Sequence, residues 1–589
     1  MPHLIRHRFS IAAGLCLAQS AQAFDVYTVG GDASCQFAFI QDAIDAAAAH
    51  PGEDYVFVAS NRTYAQQHLR VTGQDVDIIG GFRDCSDFDP ALDQTTISGR
   101  SGNSVFEIEG SSHVYLGNLV ITGGVLDSSH SGGGIYFGGA GALTLQTSWV
   151  FNNQAGYGGG IDVSPSGPTT LNLVGSTVSA NTALVSGGGI RVEGQTTLTA
   201  THTPSQYNTY IAQNAALGQG DIGYGGGIEV LGPAVANFSA VLDLNSAPYG
   251  AGIAALATEH GAAYVNLFTT DPAAPVTVYG NHAAQTGGGI FLKPHAGSSS
   301  TAKLCARDFA IDANSAIDGV ALYADEDSGH GSIAFFNAAV CDSPPGAVAC
   351  AAGTACNEIN DNVGSNGAAL VVESGGALSA NHFSARRNNA VDLILFVADT
   401  ANGAGGDYVH LSNCLLVDNV SLSYLIEGFG AASGTQISLD NCTVAGNQLG
   451  TIYAAIRADV NFVAVNNSIL YQPNHRTLFF TGSAGDLTAQ YILSNDNVAF
   501  QGHTGFVNGG PGFVDAANGD YHQKRNSQGV DFAPAIAGSD LDGNPRTLDL
   551  VDTPNRFGPM DLGAYEIAAQ GDPCSATDAI FCWGFDPEN

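Results

Sequence analysis

One tetrapeptide limits what this chain can fold into. Gly-Gly-Gly-Ile runs from Gly132 to Ile135, Gly158 to Ile161, Gly187 to Ile190, Gly225 to Ile228 and Gly287 to Ile290, with a worn copy at Gly250-Ala251-Gly252-Ile253. After each isoleucine the side chains alternate, as in Ile161-Asp162-Val163, Ile190-Arg191-Val192 and Ile228-Glu229-Val230, the pattern of a short strand with one buried face. A second phrase sets an apolar residue three places before an asparagine: Val150 with Asn153, Val178 with Asn181, Leu242 with Asn245, Val278 with Asn281 and Ile311 with Asn314. Its longer form carries further apolar residues and a Ser or Cys. It fits Leu143, Leu145, Ser148, Val150 and Asn153, then Leu171, Leu173, Ser176, Val178 and Asn181. It returns at Val409, Leu411, Cys414, Leu416 and Asn419, and at Ile437, Leu439, Cys442, Val444 and Asn447. Asn153 to Asn181 and Asn419 to Asn447 are each 28 residues. Short strands at this period, with no helical periodicity between them, predict a solenoid of stacked coils, a parallel β-helix. Glycine supplies positive φ at the sharp turns, asparagine tolerates the left-handed region, and stacked asparagine amides can bond from coil to coil. About 18 coils at about 4.8 Å each would make a rod on the order of 85 Å long. A phosphate cradle is rejected for these glycines, because no Lys-Ser/Thr follows and no helix opens after them.

An open stack of strands needs caps at its ends. Ile40, Ala43, Ile44 and Ala47 make one apolar helical face within residues 37 to 50, and Pro51-Gly52 stops that helix. Cys35 before it and Cys85 after it are candidates to bridge this cap. Cys414 and Cys442 occupy the same slot in consecutive copies, a spacing that suits either a disulfide or an inward-facing cysteine ladder. Cys574 and Cys582 suit a small local loop, while Cys305, Cys341, Cys350 and Cys356 lie in a less regular insert with no assignable pairing.

The chain has 18 basic against 54 acidic residues and a formal net charge of −36, which argues against nucleic acid and anionic membranes as partners. Residues 1 to 23 carry the marks of an export leader: Arg6 and Arg8, an apolar run from Ile11 to Ala18, and Ala21-Gln22-Ala23. Cys16 would leave with it, and the even number of cysteines that remains favours disulfides in an exported chain. No later stretch is long and apolar enough for a transmembrane helix. The C-terminal region lacks the run of amphipathic strands of a β-barrel translocator. The expected organisation is therefore a leader at 1–23, an N-terminal cap and first coils at 24–100, and coils at 101–505. A C-terminal module at 506–566 and a tail at 567–589 complete it.

These phrases resemble the exported right-handed parallel β-helix proteins of Gram-negative bacteria, in the pectin-lyase-like superfamily. The pairing of Gly-Gly-Gly-Ile with apolar-x-x-Asn is similar to the repeats of polymorphic outer membrane proteins. Pro511-Gly512-Phe513-Val514-Asp515, Gly519-Asp520-Tyr521-His522, Asp540-Leu541-Asp542-Gly543-Asn544-Pro545-Arg546 and Asp561-Leu562-Gly563-Ala564-Tyr565-Glu566 follow one another as in a choice-of-anchor module. Where that family has Ser-Pro-Ala-Ile-Asp, this chain has Ser527-Gln528-Gly529-Val530-Asp531. The final Phe581-Cys582-Trp583-Gly584-Phe585 is similar to a sorting or attachment tail. The resemblance implies an all-β, single-stranded right-handed parallel β-helix with a short N-terminal capping helix, placed at the cell exterior. It implies no activity, since this architecture hosts lyases, hydrolases, adhesins and inert stalks.

No set of residues stands out as catalytic. Arg386-Arg387 is the one adjacent basic pair within the coils, and Ser328-Gly329-His330-Gly331 echoes a polygalacturonase histidine motif whose companion motifs are absent. No cofactor is implied by a motif. Asp540, Asp542 and Asn544 have the alternating oxygens of a calcium loop, but Val551 stands where the loop's Glu belongs, and a turn closing the last coil is the alternative. Tyr136, Tyr157, Tyr224 and Tyr249, near turns, are candidate rings for stacking on sugars, with packing against neighbouring loops as the alternative. The expectation is a monomeric, exported, non-catalytic surface rod that acts as an adhesin or glycan-binding stalk toward a polysaccharide or cell-surface ligand. A polysaccharide lyase or hydrolase and an inert spacer are the alternatives. Acidic side chains aligned along a groove would favour an enzyme, and a flat face of exposed Thr, Asn and Tyr would favour binding.

Overall fold

The computed structural model describes residues 24 to 567 except 51, 91–92, 203–207, 220–222, 270–274, 297–299, 328–329, 338–356, 374, 391–392, 399–406, 431–433, 451–453 and 483–485. The proposed leader, the C-terminal tail with Cys574 and Cys582, and Cys341, Cys350 and Cys356 lie outside the described residues. Within them the chain winds as a parallel β-helix. Its coils build a wide sheet of 28 strands, a narrow sheet of 14 and a corner sheet of 7. The wide sheet takes two strands from a typical coil, such as Ala140–Gln146 and Trp149–Phe151, bent apart at Thr147, whose φ is 50°. In the narrow sheet Ile135 pairs in parallel with Ile161, then Ile190, Ile228, Ile253 and Ile290 follow in one column. All six are buried, each worth about 1.5–3 kcal/mol relative to exposure.

The column continues beyond the visible repeats, from Ile290 to Leu322 and from Leu322 to Leu370. Gly319 and Gly367 open these two turns with φ of 56° and 94°, the conformation that Gly158 adopts at 54°. They are further copies of the glycine phrase. Val320-Ala321 and Ala368-Ala369 stand where the other copies have glycine, so the phrase is not visible there in the sequence.

The asparagines form one continuous ladder. Asn153, Asn181, Asn214, Asn245, Asn281, Asn314, Asn362, Asn388, Asn419 and Asn447 follow in order, and each Nδ2 donates to the next Oδ1 at 2.9–3.1 Å. Each of these acceptors also takes the backbone N–H of the preceding asparagine, as Asn281 Oδ1 does from Asn245 N at 2.9 Å. Gln472 ends the run; with its amide oxygen and nitrogen exchanged, it accepts from Asn447 Nδ2 at 2.8 Å. The left-handed residue is not the asparagine itself but the one before it. Asn152, Ala180, Gln213, Leu244, Ala313, Asp361, Arg387 and Asp418 all have φ between 52° and 58°. A β-carbon makes that conformation costly by roughly 1–2 kcal/mol per residue, and the ladder's bonds to backbone groups on both sides hold it in place.

The narrow sheet's 14 strands correspond to about 65 Å of described rungs, shorter than about 18 coils would give. The intervals between ladder asparagines explain this: they reach 33 residues from Asn281 to Asn314 and 48 from Asn314 to Asn362, yet each interval advances the ladder by a single step.

At the N-terminus the helix α1, Ile40–Ala48, buries Ile40, Ala43, Ile44 and Ala47 against the first coil, as their spacing predicts. Cys35 and Cys85 are bridged with Cα atoms 5.0 Å apart. Cys414 and Cys442 are also bridged, with Cα atoms 4.5 Å apart, which settles the choice between disulfide and ladder. Cys305 is disulfide-bonded as well.

Residues 509 to 567 turn back along the outside of the last coils. Here the outward residues of the wide sheet are apolar: Leu415, Val417 and Ala445 pack under Tyr521, Leu541, Ala564 and Tyr565, while Ile469 and Leu493 pack under Phe532, Met560 and Leu562. Strands buried on both faces lose their alternation, so Leu415-Leu416-Val417 reads as one apolar run. Polar contacts fix the module. Tyr521 donates to Asp418, and Arg386 reaches Tyr565 Oη at 3.1 Å and Gly519 O at 3.3 Å. The buried Arg546 reaches Glu566 at 3.0 Å and Asn413 Oδ1 at 2.9 Å. Among the described residues no helix is long and apolar enough to cross a membrane.

Candidate functional site

Strand alternation decides what the uncovered part of the wide sheet presents. With Leu143, Leu145 and Val150 facing inward, their neighbours must face out. Thr144, Asn172, Thr199, Asn237 and Asn266 succeed one another in one outward column. Asn172 Nδ2 donates to Thr144 Oγ1 at 3.3 Å and Asn266 Nδ2 to Asn237 Oδ1 at 2.8 Å. These short side chains make a flat polar strip.

Aromatic rings border the strip at every second coil. Trp149 pairs with Thr177, which pairs with Tyr210, so the two rings are two strand spacings apart, about 10 Å. The strand of Tyr210 pairs with Val241–Asp243, and that strand with Val276–Tyr279. Tyr279 therefore stands two further rungs along, two residues to one side of Thr277, which holds the register position of Tyr210. Trp149 is 50% exposed, Tyr210 38% and Tyr279 47%. Tyr264, on the same coil as Tyr279, is also exposed, with Lys303 Nζ 5.5 Å from its ring centre. Asp243 and Asp312 flank Tyr279 in its column. Burial raises the pKa of Asp243. Burial and the nearby charges of Glu358 and Asp361 push Asp312 up to about 6.

The four tyrosines singled out from the sequence lie elsewhere and are half-buried. Tyr136 sits in the outward column of the narrow sheet, beside Asp162. Tyr157 lies under the Arg191 guanidinium, 5.0 Å from the ring centre. Tyr224 and Tyr249 pack on each other at 5.5 Å and on Phe291 at 5.8 and 5.6 Å. Each exposed ring stands next to an inward anchor in the sequence: Trp149 before Val150, Tyr210 before Ile211, Tyr264 before Val265 and Tyr279 after Val278.

The outward column of the narrow sheet is charged but closed. Arg191 lies 3.2 Å from Asp162, 2.6 Å from Glu193 and 3.4 Å from Glu229. Asp162 is wholly buried, and burial raises its pKa although Arg191 opposes the shift. Further along, Tyr323 Oη donates to Glu373 Oε1 at 2.6 Å, and Lys293 Nζ lies 3.4 Å from Asp325. Burial, with Asp325 adding its charge, pushes Glu373 up to about 7.

The proposed calcium-loop residues bond to protein groups. Asp540 accepts from Asn544 N at 2.6 Å, Asn544 Nδ2 at 3.1 Å and Glu566 N at 2.7 Å. Asp542 Oδ2 lies 2.7 Å from His522 Nε2. These bonds describe a turn that ties the end of the module together, and no group of three metal-ligating side chains occurs among the described residues. Arg387 makes a two-pronged pair with Asp361, both bonds at 2.8 Å.

No protein-family model matches the chain, and no curated protein matches it. Among solved structures it is similar to the crystal structure of pectate lyase Pel9A, at 11% identity over 93% of this chain and 97% of that one, with a TM-score of 0.22. The fold assignment rests on the parallel registers of this chain's own strands.

Proposed function

We propose that this protein is an exported, non-catalytic rod that binds a glycan along the uncovered face of the wide sheet, as an adhesin or glycan-binding stalk at the cell exterior. The observation that carries this is the spacing of Trp149, Tyr210 and Tyr279, one exposed ring at every second coil beside a flat strip of Thr and Asn. Trp149 and Tyr210, about 10 Å apart in one column, match an extended polysaccharide that turns the same sugar face outward at every second residue, and Tyr279 continues the series two rungs on in the adjacent outward column. Sugar C–H faces stack on such rings, while hydroxyls bond to the short polar side chains. The acidic surface favours a neutral glycan over a polyanionic one. Export is supported by the leader-like residues 1 to 23 and by the Cys35–Cys85 and Cys414–Cys442 bridges, which persist in oxidising compartments.

The test is retention of the chain from residue 24 on immobilised neutral and acidic polysaccharides, together with Trp149→Ala, Tyr210→Ala and Tyr279→Ala. Retention on a neutral polymer that each substitution weakens supports the proposal. Retention unchanged in the triple variant would sink it. A second reading, a polysaccharide lyase or hydrolase, is favoured by Glu373, a carboxyl poised near neutrality between Tyr323 and Asp325. New chain ends that disappear in Glu373→Gln would establish it. Neither retention nor cleavage would leave the inert spacer.

A further inference from the structure

Three ionisable side chains stand in line on the outside of the narrow sheet. Leu292 pairs in parallel with Ala324, and Ala324 with Val372. All three are buried and face inward, so the next residue along each strand, Lys293, Asp325 and Glu373, faces outward. They occupy three successive rungs, about 4.8 Å apart, with Asp325 in the middle. Lys293 Nζ lies 3.4 Å from Asp325 Oδ2. Glu373 hydrogen-bonds to Asp325 from the other side. Burial raises the pKa of both carboxyls, and their mutual bond then lowers Asp325 and raises Glu373, so Glu373 is the one that keeps the shared proton. Tyr323 Oη donates to Glu373 Oε1 at 2.6 Å and fixes its carboxyl. Aromatic rings shield the group: Phe291, 2% exposed, stacks on Tyr224 and on Tyr323, each at 5.8 Å. An ion pair needs only an amine and a carboxylate. A third, protonated carboxyl bonded to that carboxylate completes the set that an amide condensation requires.

We propose that Lys293 and Asp325 condense to a side-chain amide, a covalent crosslink between adjacent coils, with Glu373 as the acid that assists it. A proton first passes from the Lys293 ammonium to Asp325 along their contact, leaving a neutral amine and a carboxylic acid. Burial favours this exchange because it acts against both charges at once. The pull of Asp325 on the ammonium opposes it, which makes the condensation a slow maturation step after folding. Nζ then attacks Asp325 Cγ, whose carbonyl oxygen is polarised by the Glu373 hydrogen bond. The Cγ–N bond forms and the bond from Cγ to the hydroxyl breaks. Glu373 gives its proton to the departing hydroxyl and takes back the one that the nitrogen sheds. Water is the only product besides the amide, and no oxidant or cofactor is consumed. The folded coils hold amine and carboxyl in contact, so a reaction that is unfavourably slow between free molecules becomes intramolecular. The crosslink is independent of glycan binding on the wide sheet.

The test is the intact mass of the chain from residue 24, folded, aged, then denatured and reduced to open its disulfides, followed by peptide mapping. The chain is expected to be lighter than its sequence by one water, with tandem spectra placing that loss in a branched peptide that joins Lys293 to Asp325. Lys293→Arg keeps the positive charge and Asp325→Ala removes the acceptor, and each shows the full mass of its own sequence. Glu373→Gln keeps the shape of the side chain, and its crosslinked fraction at equal age falls at least about tenfold. No ligand enters these measurements, so they stand or fall apart from the glycan proposal. They also separate the crosslink from a hydrolase that uses Glu373, whose products appear only with a polysaccharide. A mass equal to that of the full sequence reduces the three side chains to an ion pair and overturns the proposal. So does a water loss that maps to other residues, or a crosslink whose yield is unchanged in Glu373→Gln.

Discussion

Replacing Asn245 by alanine tests whether the asparagine ladder holds the coils together. Asn245 is wholly buried. Its Oδ1 accepts from Asn214 N and Asn214 Nδ2, both at 3.0 Å. Its Nδ2 donates to Ile211 O at 2.9 Å and to Asn281 Oδ1 at 3.0 Å. Alanine removes all four bonds. Asn214 Nδ2 keeps Val178 O, and Asn281 Oδ1 keeps the backbone N–H of residue 245. The Asn214 backbone N–H loses the acceptor described here. One orphaned buried donor at about 2 kcal/mol and three lost bonds at about 1 kcal/mol each come to about 5 kcal/mol, at the severe end for a single substitution. Leu244, left-handed at φ 53°, also loses the side chain that follows and anchors it. A solenoid opens coil by coil, so a global midpoint understates a local loss. Amide hydrogen exchange at Asn214 and Leu244, beside guanidinium unfolding, is therefore the assay. Asn172→Ala, on the outward strip, is the control. A loss under about 1.5 kcal/mol, or one equal to that of the control, would refute the reasoning.

Other consequences follow from the same geometry. Gly158→Ala puts a β-carbon 2.5 Å from Ile161 O at φ 54°, and this strain should cost about 2–4 kcal/mol in denaturant unfolding. The Cys35–Cys85 bridge spans 50 residues. Replacing both cysteines by alanine should remove about 4 kcal/mol from the cap, read by exchange in α1 with the last coils unaffected. Burial pushes Asp561 up to about 7, with the charge of Asp531 adding to it, and Glu566 up to about 8, with the charge of Asp561 adding to it. Such raised carboxyls stabilise the fold below their unfolded values near about 4 and lose that contribution as pH rises through the folded ones. Burial opposes the charged form of His522, but Asp542 and Asp520 hold its pKa above the usual value, so its contribution is also lost as pH rises. Docking of residues 509 to 567 should therefore weaken from about pH 5 to about pH 8, and Glu566→Gln should flatten that slope. A thermal midpoint that rises over this interval would contradict it.

Much of the scaffold could be read from the residues because it depends on local rules repeated many times. Alternation after Ile161 and Ile190, the face of α1 and the common slot of Cys414 and Cys442 each gave the observed placement. The copies at Gly319 and Gly367 were not legible, because alanine and valine fill turns whose geometry matches that of the glycine copies. The candidate binding face was missed for a different reason. Exposure is set by which side of a strand a residue takes and by what later folds over it. Tyr224 and Tyr249 stand near turns yet meet Phe291, which comes from another coil. Leu415 and Ile469 look outward yet lie beneath a module joined to them only through distant contacts. Such tertiary cover leaves no periodic mark in the sequence.

The ladder keeps its amide contacts at 2.9–3.1 Å whether 26 or 48 residues separate consecutive asparagines. It therefore counts turns and is indifferent to the length of chain between them. In genetic terms the heritable unit is a whole turn. Duplicating or deleting one segment from asparagine to asparagine would lengthen or shorten the rod by one step and leave every junction chemically identical to those already present. Insertions within a segment would change only its outer loop. Such a molecule can vary its reach and its surface decoration independently, and grafted loops between Asn314 and Asn362 should be accepted without disturbing the turns on either side.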